Sequence, residues 1–148
     1  MAAKTVIRPA AEADIPAILA LYRQLDTALV AMQPEFFCKA IRADDADFLL
    51  AERGGAVVGF ALVGYAGWTP EFSCVLPHRY ARLEDLAVDE AVRGQGVGSE
   101  LLAAAKRWAR NRRLEYLELN VLAQNENAIR LYESQDFVEA TKVMRCML

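Results

Sequence analysis

The stretch LEDLAVDEAVRGQGVGSELL, Leu83 to Leu102, decides how the rest of the chain is read. It opens as an apolar strand-like segment ending at Val88 and closes as an apolar helix-like segment beginning near Ser99. Between them Gly94, Gly96 and Gly98 stand at alternate positions. A plain strand-to-helix connection needs only one glycine. Alternating glycines fit a turn whose backbone N–H groups converge on an anion with no Cβ atoms in the way. The start of the following helix adds unpaired N–H groups and a partial positive charge.

Two common anion-binding patterns fail on specific residues. The dinucleotide fingerprint G-x-G-x-x-G needs a glycine where the chain has Ser99, and it expects the turn in the first strand–helix unit. The nucleotide P-loop needs Gly-Lys-Ser/Thr, and GVGSE carries no lysine there.

Working outward, strands alternate with helices. TVIRPA (Thr5–Ala10) reads as a first strand. ADIPAILALYRQLDTAL reads as a helix that Asp14 can cap, with Ile15, Ile18, Leu19, Tyr22 and Leu25 at helical spacing. A short helix begins near Pro34. DFLLAE and AVVGFALVG are strands joined by RGG, a hairpin signal. YARLEDLAV and YLELNVLA are further strands, and NENAIRLYESQ is a helix that Asn125 or Asn127 can cap. FVEATKVMRCML ends the chain as one strand or a tight hairpin. KRWARNRR (Lys106–Arg113) reads as a solvated face at the negative end of its helix. The pattern predicts a mixed α/β sheet with some antiparallel pairing, in one domain over residues 1–148.

Composition narrows the function. A net charge of -3 gives no basic footprint for nucleic acid. Cys38, Cys74 and Cys146 are far apart and odd in number, which fits reduced, mostly buried thiols and no metal site. The only histidine, His78, beside Pro77, is read as structural. Met1–Pro9 lacks an apolar signal core, and the apolar run Ala56–Trp68 is too short to span a bilayer. The expectation is a soluble cytoplasmic protein with no membrane and no nucleic-acid partner.

The glycine turn with its strand resembles the GNAT superfamily of N-acetyltransferases. The family signature Arg/Gln-x-x-Gly-x-Gly/Ala after a strand ending Leu-x-Val is met by Leu86, Val88, Arg93, Gly96 and Gly98. IRPAAEADIPAI resembles the family's opening. NVLAQNENAIRLYESQDF resembles its second cofactor motif, N-x-x-A-x-x-L-Y-x-x-x-G-F, with Asp136 in place of the glycine. The resemblance implies a mixed, centrally splayed β-sheet flanked by helices, with acetyl-CoA as co-substrate. It implies that the CoA pyrophosphate rests on the N–H groups of Arg93, Gly94, Gln95, Gly96, Val97, Gly98 and Ser99. The pantetheine arm would run along Leu86, Ala87 and Val88. Asn120, Asn125 and Asn127 would add cofactor contacts, and the Tyr132 hydroxyl would approach the CoA sulfur as an acid. Family members commonly form homodimers, so a homodimer is expected on the resemblance alone.

Acetyl transfer to an amine needs a carboxylate, because an alkyl ammonium of pKa about 10 must lose its proton. LED supplies Glu84 and Asp85, which a regular strand sends to opposite faces unless a bulge intervenes. The word LED resembles diamine acetyltransferases, which favours Glu84 as base. The resemblance to aminoglycoside 3-N-acetyltransferases makes Asp85 its rival. The expected activity is transfer to a small primary amine in a ternary complex. The alternatives are a peptide N-terminus or lysine as acceptor, and an acyl-CoA-binding module without turnover.

Overall fold

A computed structural model of the chain describes residues 3–25, 33–66 and 78–148. Strand β1 (Val6–Pro9) leads through a 3-10 turn into helix α1 (Ile15–Leu25), and α2 (Pro34–Arg42) follows. Strands β2 (Ala46–Arg53), β3 (Ala56–Ala66) and β4 (Tyr80–Val88) come next, then α3 (Val97–Asn111), β5 (Leu117–Leu119) and α4 (Glu126–Ser134). The five strands form one sheet in sequential order, antiparallel from β1 to β4 and parallel between β4 and β5. This is the expected mixed sheet flanked by helices.

The hairpin signal RGG is where the sequence put it. Gly54 and Gly55, with φ of 56° and 81°, turn β2 into β3. Both of the following strands alternate apolar residues between two faces, and both faces are covered. On one, Leu49, Ala51, Ala61, Val63 and Leu83 pack against Val97, Leu101, Leu102, Ala105 and Trp108 of α3. On the other, Phe48, Leu50, Phe60 and Leu62 pack against Ile18, Leu21 and Tyr22 of α1 and Phe37 of α2. Among the described residues, no polar or charged residue is buried.

Three local expectations are corrected. Asp14 does not cap α1; its carboxylate accepts the Ala11 N–H at 2.8 Å and a two-pronged ion pair from Arg8. The YLELNVLA strand is reduced to Leu117–Leu119, because β5 has a neighbour on one side only. The C-terminal segment forms neither strand nor hairpin. Residues 138–148 are exposed throughout, and no partner strand lies beside them among the described residues. The expectation of buried thiols also fails at Cys146, which is exposed there; Cys38 is half-buried and Cys74 lies outside the described residues.

Candidate active site

The site begins at the glycine turn. Asp89 caps the 3-10 turn that follows β4, accepting the Ala91 N–H at 3.0 Å. Gly94 and Gly96 then adopt φ of 75° and 86°, a left-handed conformation that side-chain-bearing residues rarely take. A Cβ at either position would meet nothing within 4 Å, so the turn faces open space. Among the described residues, none of the N–H groups from Gly94 to Ser99 donates to a backbone carbonyl. They lie at the positive end of the 15-residue α3. Arg53 holds the tip in place, donating to the Gln95 side chain at 2.8 Å and to its carbonyl at 3.1 Å. Arg93 donates back to the Val88 carbonyl at 3.1 Å. A turn of backbone donors without carbonyl partners, beside two guanidinium groups, suits a phosphate.

Gly98 has a different reason to be glycine. A Cβ there would stand 3.1 Å from Leu131 Cδ2, so this position lets α3 and α4 pack closely. The alternating glycines therefore divide into two that shape the turn and one that brings two helices together.

Beside the turn the sheet parts. β4 and β5 pair only where Ala81, Arg82 and Leu83 meet Leu117, Glu118 and Leu119. From Glu84 to Val88, the β5-facing edge of β4 has no strand partner among the described residues. The resulting seam leaves backbone donors and acceptors available to an extended ligand.

Glu84 and Asp85 sit at the head of that seam, and a bulge separates them. Leu62 pairs with Asp85 and Val63 with Leu83, so Glu84 is the extra residue. One inserted residue reverses the alternation beyond it. Leu83 accordingly packs in the α3 layer, whereas Asp85 turns to α1 and accepts the Tyr22 hydroxyl at 2.7 Å. Asp85 is half-buried and Glu84 is exposed. Burial, the Asp85 hydrogen bond and the Asp85 and Glu84 charges push the Tyr22 hydroxyl far above the usual tyrosine range. Burial and then the Asp85 charge also raise the Tyr132 pKa. Asp85 is thus a fixed charge felt by two tyrosines that keep their protons. Tyr22 is the residue the sequence did not offer as a site candidate, because it lies in an ordinary apolar helix stripe. Its signal was a lone hydroxyl in that stripe, on the helix that covers the acidic strand.

Two of the remaining candidates, Asn125 and Asn127, make local hydrogen bonds. Asn125 caps α4, its Oδ1 accepting the Ala128 N–H at 3.2 Å, and Asn127 accepts from Arg130. Asn120 is exposed just past β5. Within KRWARNRR, Trp108 is buried, Arg112 stacks on its ring at 3.8 Å, and Lys106 donates to the Gln135 carbonyl beyond the end of α4. Lys106 therefore ties α3 to α4. Asp136 takes the left-handed conformation, with φ of 67°, at the position where the resembling family has glycine. His78 forms a contact of 2.6 Å with Glu115 at the surface. Among the described residues, no group of three or more His, Cys, Asp or Glu side chains is placed to hold a metal, and no helix is long and apolar enough to cross a membrane. Residues 66–78, the poorly patterned stretch between β3 and β4 where the sequence leaves room for an acceptor-lining loop, fall almost entirely outside the described residues.

Known proteins resemble this chain in sequence and in shape. The sequence model of the acetyltransferase (GNAT) family matches residues 15–137. An uncharacterised N-acetyltransferase of Bacillus subtilis, YhfO, is 34% identical over 140 residues, covering 91% of each chain. The thialysine N-epsilon-acetyltransferase of Mus musculus is 31% identical over 158 aligned positions, covering 93% of this chain and 88% of its own. An aminoglycoside N-acetyltransferase solved in complex with CoA superposes with a TM-score of 0.83 at 19% identity, covering 100% of this chain and 97% of its own.

Proposed function

The chain belongs to the acetyltransferase (GNAT) family, an acyltransferase family, and from that premise we propose that it transfers the acetyl group of acetyl-CoA to the primary amine of a small molecule, by direct attack within a ternary complex. The observation that carries this reading is Asp85, a carboxylate fixed by Tyr22 at the head of the seam, with its charge reaching Tyr132. Acetyl-CoA supplies an acyl thioester. The free N–H groups from Gly94 to Ser99 hold its pyrophosphate, and the unpaired edge from Glu84 to Val88 aligns its pantetheine arm as an added strand would lie.

Asp85 then has one oxygen held by Tyr22 and one left to take the ammonium proton, directly or through a water. Exposed Glu84, one residue away, draws the cation to the seam. In this arrangement Asp85 is the base and Glu84 the attractor, the reverse of the order favoured by the LED resemblance. A backbone N–H near Val88 polarises the thioester carbonyl. Tyr132, kept protonated by burial and by Asp85, protonates the leaving thiolate. Two similarities support a small amine as acceptor: a curated relative that acts on thialysine, and a structural neighbour that acts on aminoglycosides.

The test is CoA release across a panel of diamines, amino acids and aminoglycosides, for the native chain and for Asp85→Asn and Glu84→Gln. The reading expects Asp85→Asn to lower kcat by about 10²-fold or more and Glu84→Gln chiefly to raise KM. A kcat loss confined to Glu84→Gln transfers the base role to Glu84. Turnover of peptides but of no free amine in the panel overturns the small-molecule assignment.

A further inference from the structure

Gly96 gives the turn its shape and also a weakness. Its φ of 86° is open to glycine, but glycine takes other backbone conformations as readily. A Cβ there would meet nothing within 4 Å, so no neighbouring atom stands in the way of a change. Rotating the peptide between Gln95 and Gly96 alters only the Gln95 ψ and the Gly96 φ. The two orientations are not equivalent for an anion. A trans peptide points its C=O and its N–H in opposite directions. In one orientation the Gly96 N–H faces the ligand. In the other the Gln95 carbonyl oxygen, with its partial negative charge, stands in the same place.

Arg53 supplies the contact that decides between them. It is the last residue of β2, it lies 42 residues from Gln95 in sequence, and its side chain is only 13% exposed. Its Nη2 donates to the Gln95 carbonyl at 3.1 Å and its Nη1 to Gln95 Oε1 at 2.8 Å. Its Nε donates to Thr5 Oγ1 at 2.7 Å, which fixes the plane of the guanidinium from behind. Each of the three nitrogens thus has a protein partner, and the Glu100 carboxylate stands 4.0 Å from Nη2. The Gly96 N–H belongs to the same peptide as the carbonyl that Arg53 holds, so it points away from Arg53. Among the described residues it donates to no backbone carbonyl. A planar fork that bridges two atoms of one residue restrains rotation as well as position, which the single ammonium of a lysine does not.

We propose that Arg53 is a positioning residue for the acyl donor: by holding the Gln95 carbonyl it locks the peptide between Gln95 and Gly96 with the Gly96 N–H turned to the pyrophosphate, and it does so without touching the donor. The inference rests on the proposed seating of the CoA pyrophosphate on the turn, and it names the residue that sets that seat from outside. The effect belongs to the nucleotide half of the donor. Pantetheine carries no pyrophosphate, so its binding along β4 is indifferent to the lock.

Calorimetric titration of CoA and NMR titration of pantetheine test it, each into the native chain, Arg53→Met and Arg53→Lys. Neither titration needs an acceptor, so the result does not depend on which amine is acetylated. The expected outcome is a Kd for CoA raised about tenfold in Arg53→Met and by less in Arg53→Lys, with the affinity for pantetheine unchanged. With acetyl-CoA as substrate the loss falls on KM while kcat is retained. Arg53→Lys keeps a cation beside Thr5 and serves where Arg53→Met does not fold, with thermal unfolding as the check on both. Unchanged CoA affinity in both variants, or an equal loss of affinity for pantetheine, would overturn the positioning role. A native chain that binds no CoA overturns this inference and the proposed function together, whereas one that binds CoA and acetylates no amine overturns only the latter.

Discussion

Helices α3 and α4 flank the same seam, yet α3 buries eight of its residues and α4 buries none. The strands beneath them differ in the same way. β2, β3 and β4 are held by long antiparallel ladders with both faces packed, while β5 contributes three half-buried residues. One side of the seam is a core. The other is a wall held by a few contacts: Leu131 against Gly98, the Phe137 ring under the Lys106 ammonium, and Lys106 on the Gln135 carbonyl. The difference separates stability from function. The core side carries the glycine turn and Asp85 on a rigid frame, and the looser side carries Tyr132.

The contrast is open to mutation, starting with the largest effect. Leu101 is fully buried in α3, so Leu101→Ala should cost about 3–4 kcal/mol in urea unfolding. Leu131→Ala, on half-buried α4, should cost well under half of that. Equal costs would break the comparison. Tyr132→Phe should lower kcat by about 10²-fold while leaving thermal stability nearly unchanged, because the ring keeps its contact with Phe137. An unchanged rate would remove Tyr132 from the chemistry.

A smaller effect sits on the core side, at its acidic margin. The Arg8 guanidinium holds the Asp14 carboxyl down to about 2. Its folded value is depressed, so the stabilisation is present above the unfolded pKa near 4 and lost as pH falls through about 2. With Arg8 side-chain exposure of 35%, screening leaves about 1–2 kcal/mol. Asp14→Asn should remove that much at pH 7 and flatten stability between pH 4 and 2. Smallest of all, Asp136→Gly should relieve the left-handed strain at the end of α4 and stabilise by about 0.5–1 kcal/mol.

Much of this frame was legible in the residues. RGG announced the β2–β3 hairpin, helical spacing announced α1 and α3, and the Gly94–Gly98 pattern announced the turn. What stayed hidden depends on partners far along the chain. The Glu84 bulge is decided by how β4 registers against Leu62 and Val63, which no alternation within LEDLAV reveals. Tyr22 meets Asp85 across 63 residues of sequence. Gly98 reads in the sequence only as part of an anion nest; its second constraint, the contact with Leu131, comes from a residue far along the chain. The tail reads as a strand by composition, but among the described residues no strand pairs with it.

The central claim is that the seam between β4 and β5 receives the acyl donor. Hydrogen exchange of the full chain, with and without acetyl-CoA, tests it most directly. The account predicts new protection at the amides of Gly94 to Ser99 and along Glu84 to Val88, with little change in β1 and β2. Saturating acetyl-CoA that leaves both stretches unprotected, or that protects only residues remote from the seam, would contradict it.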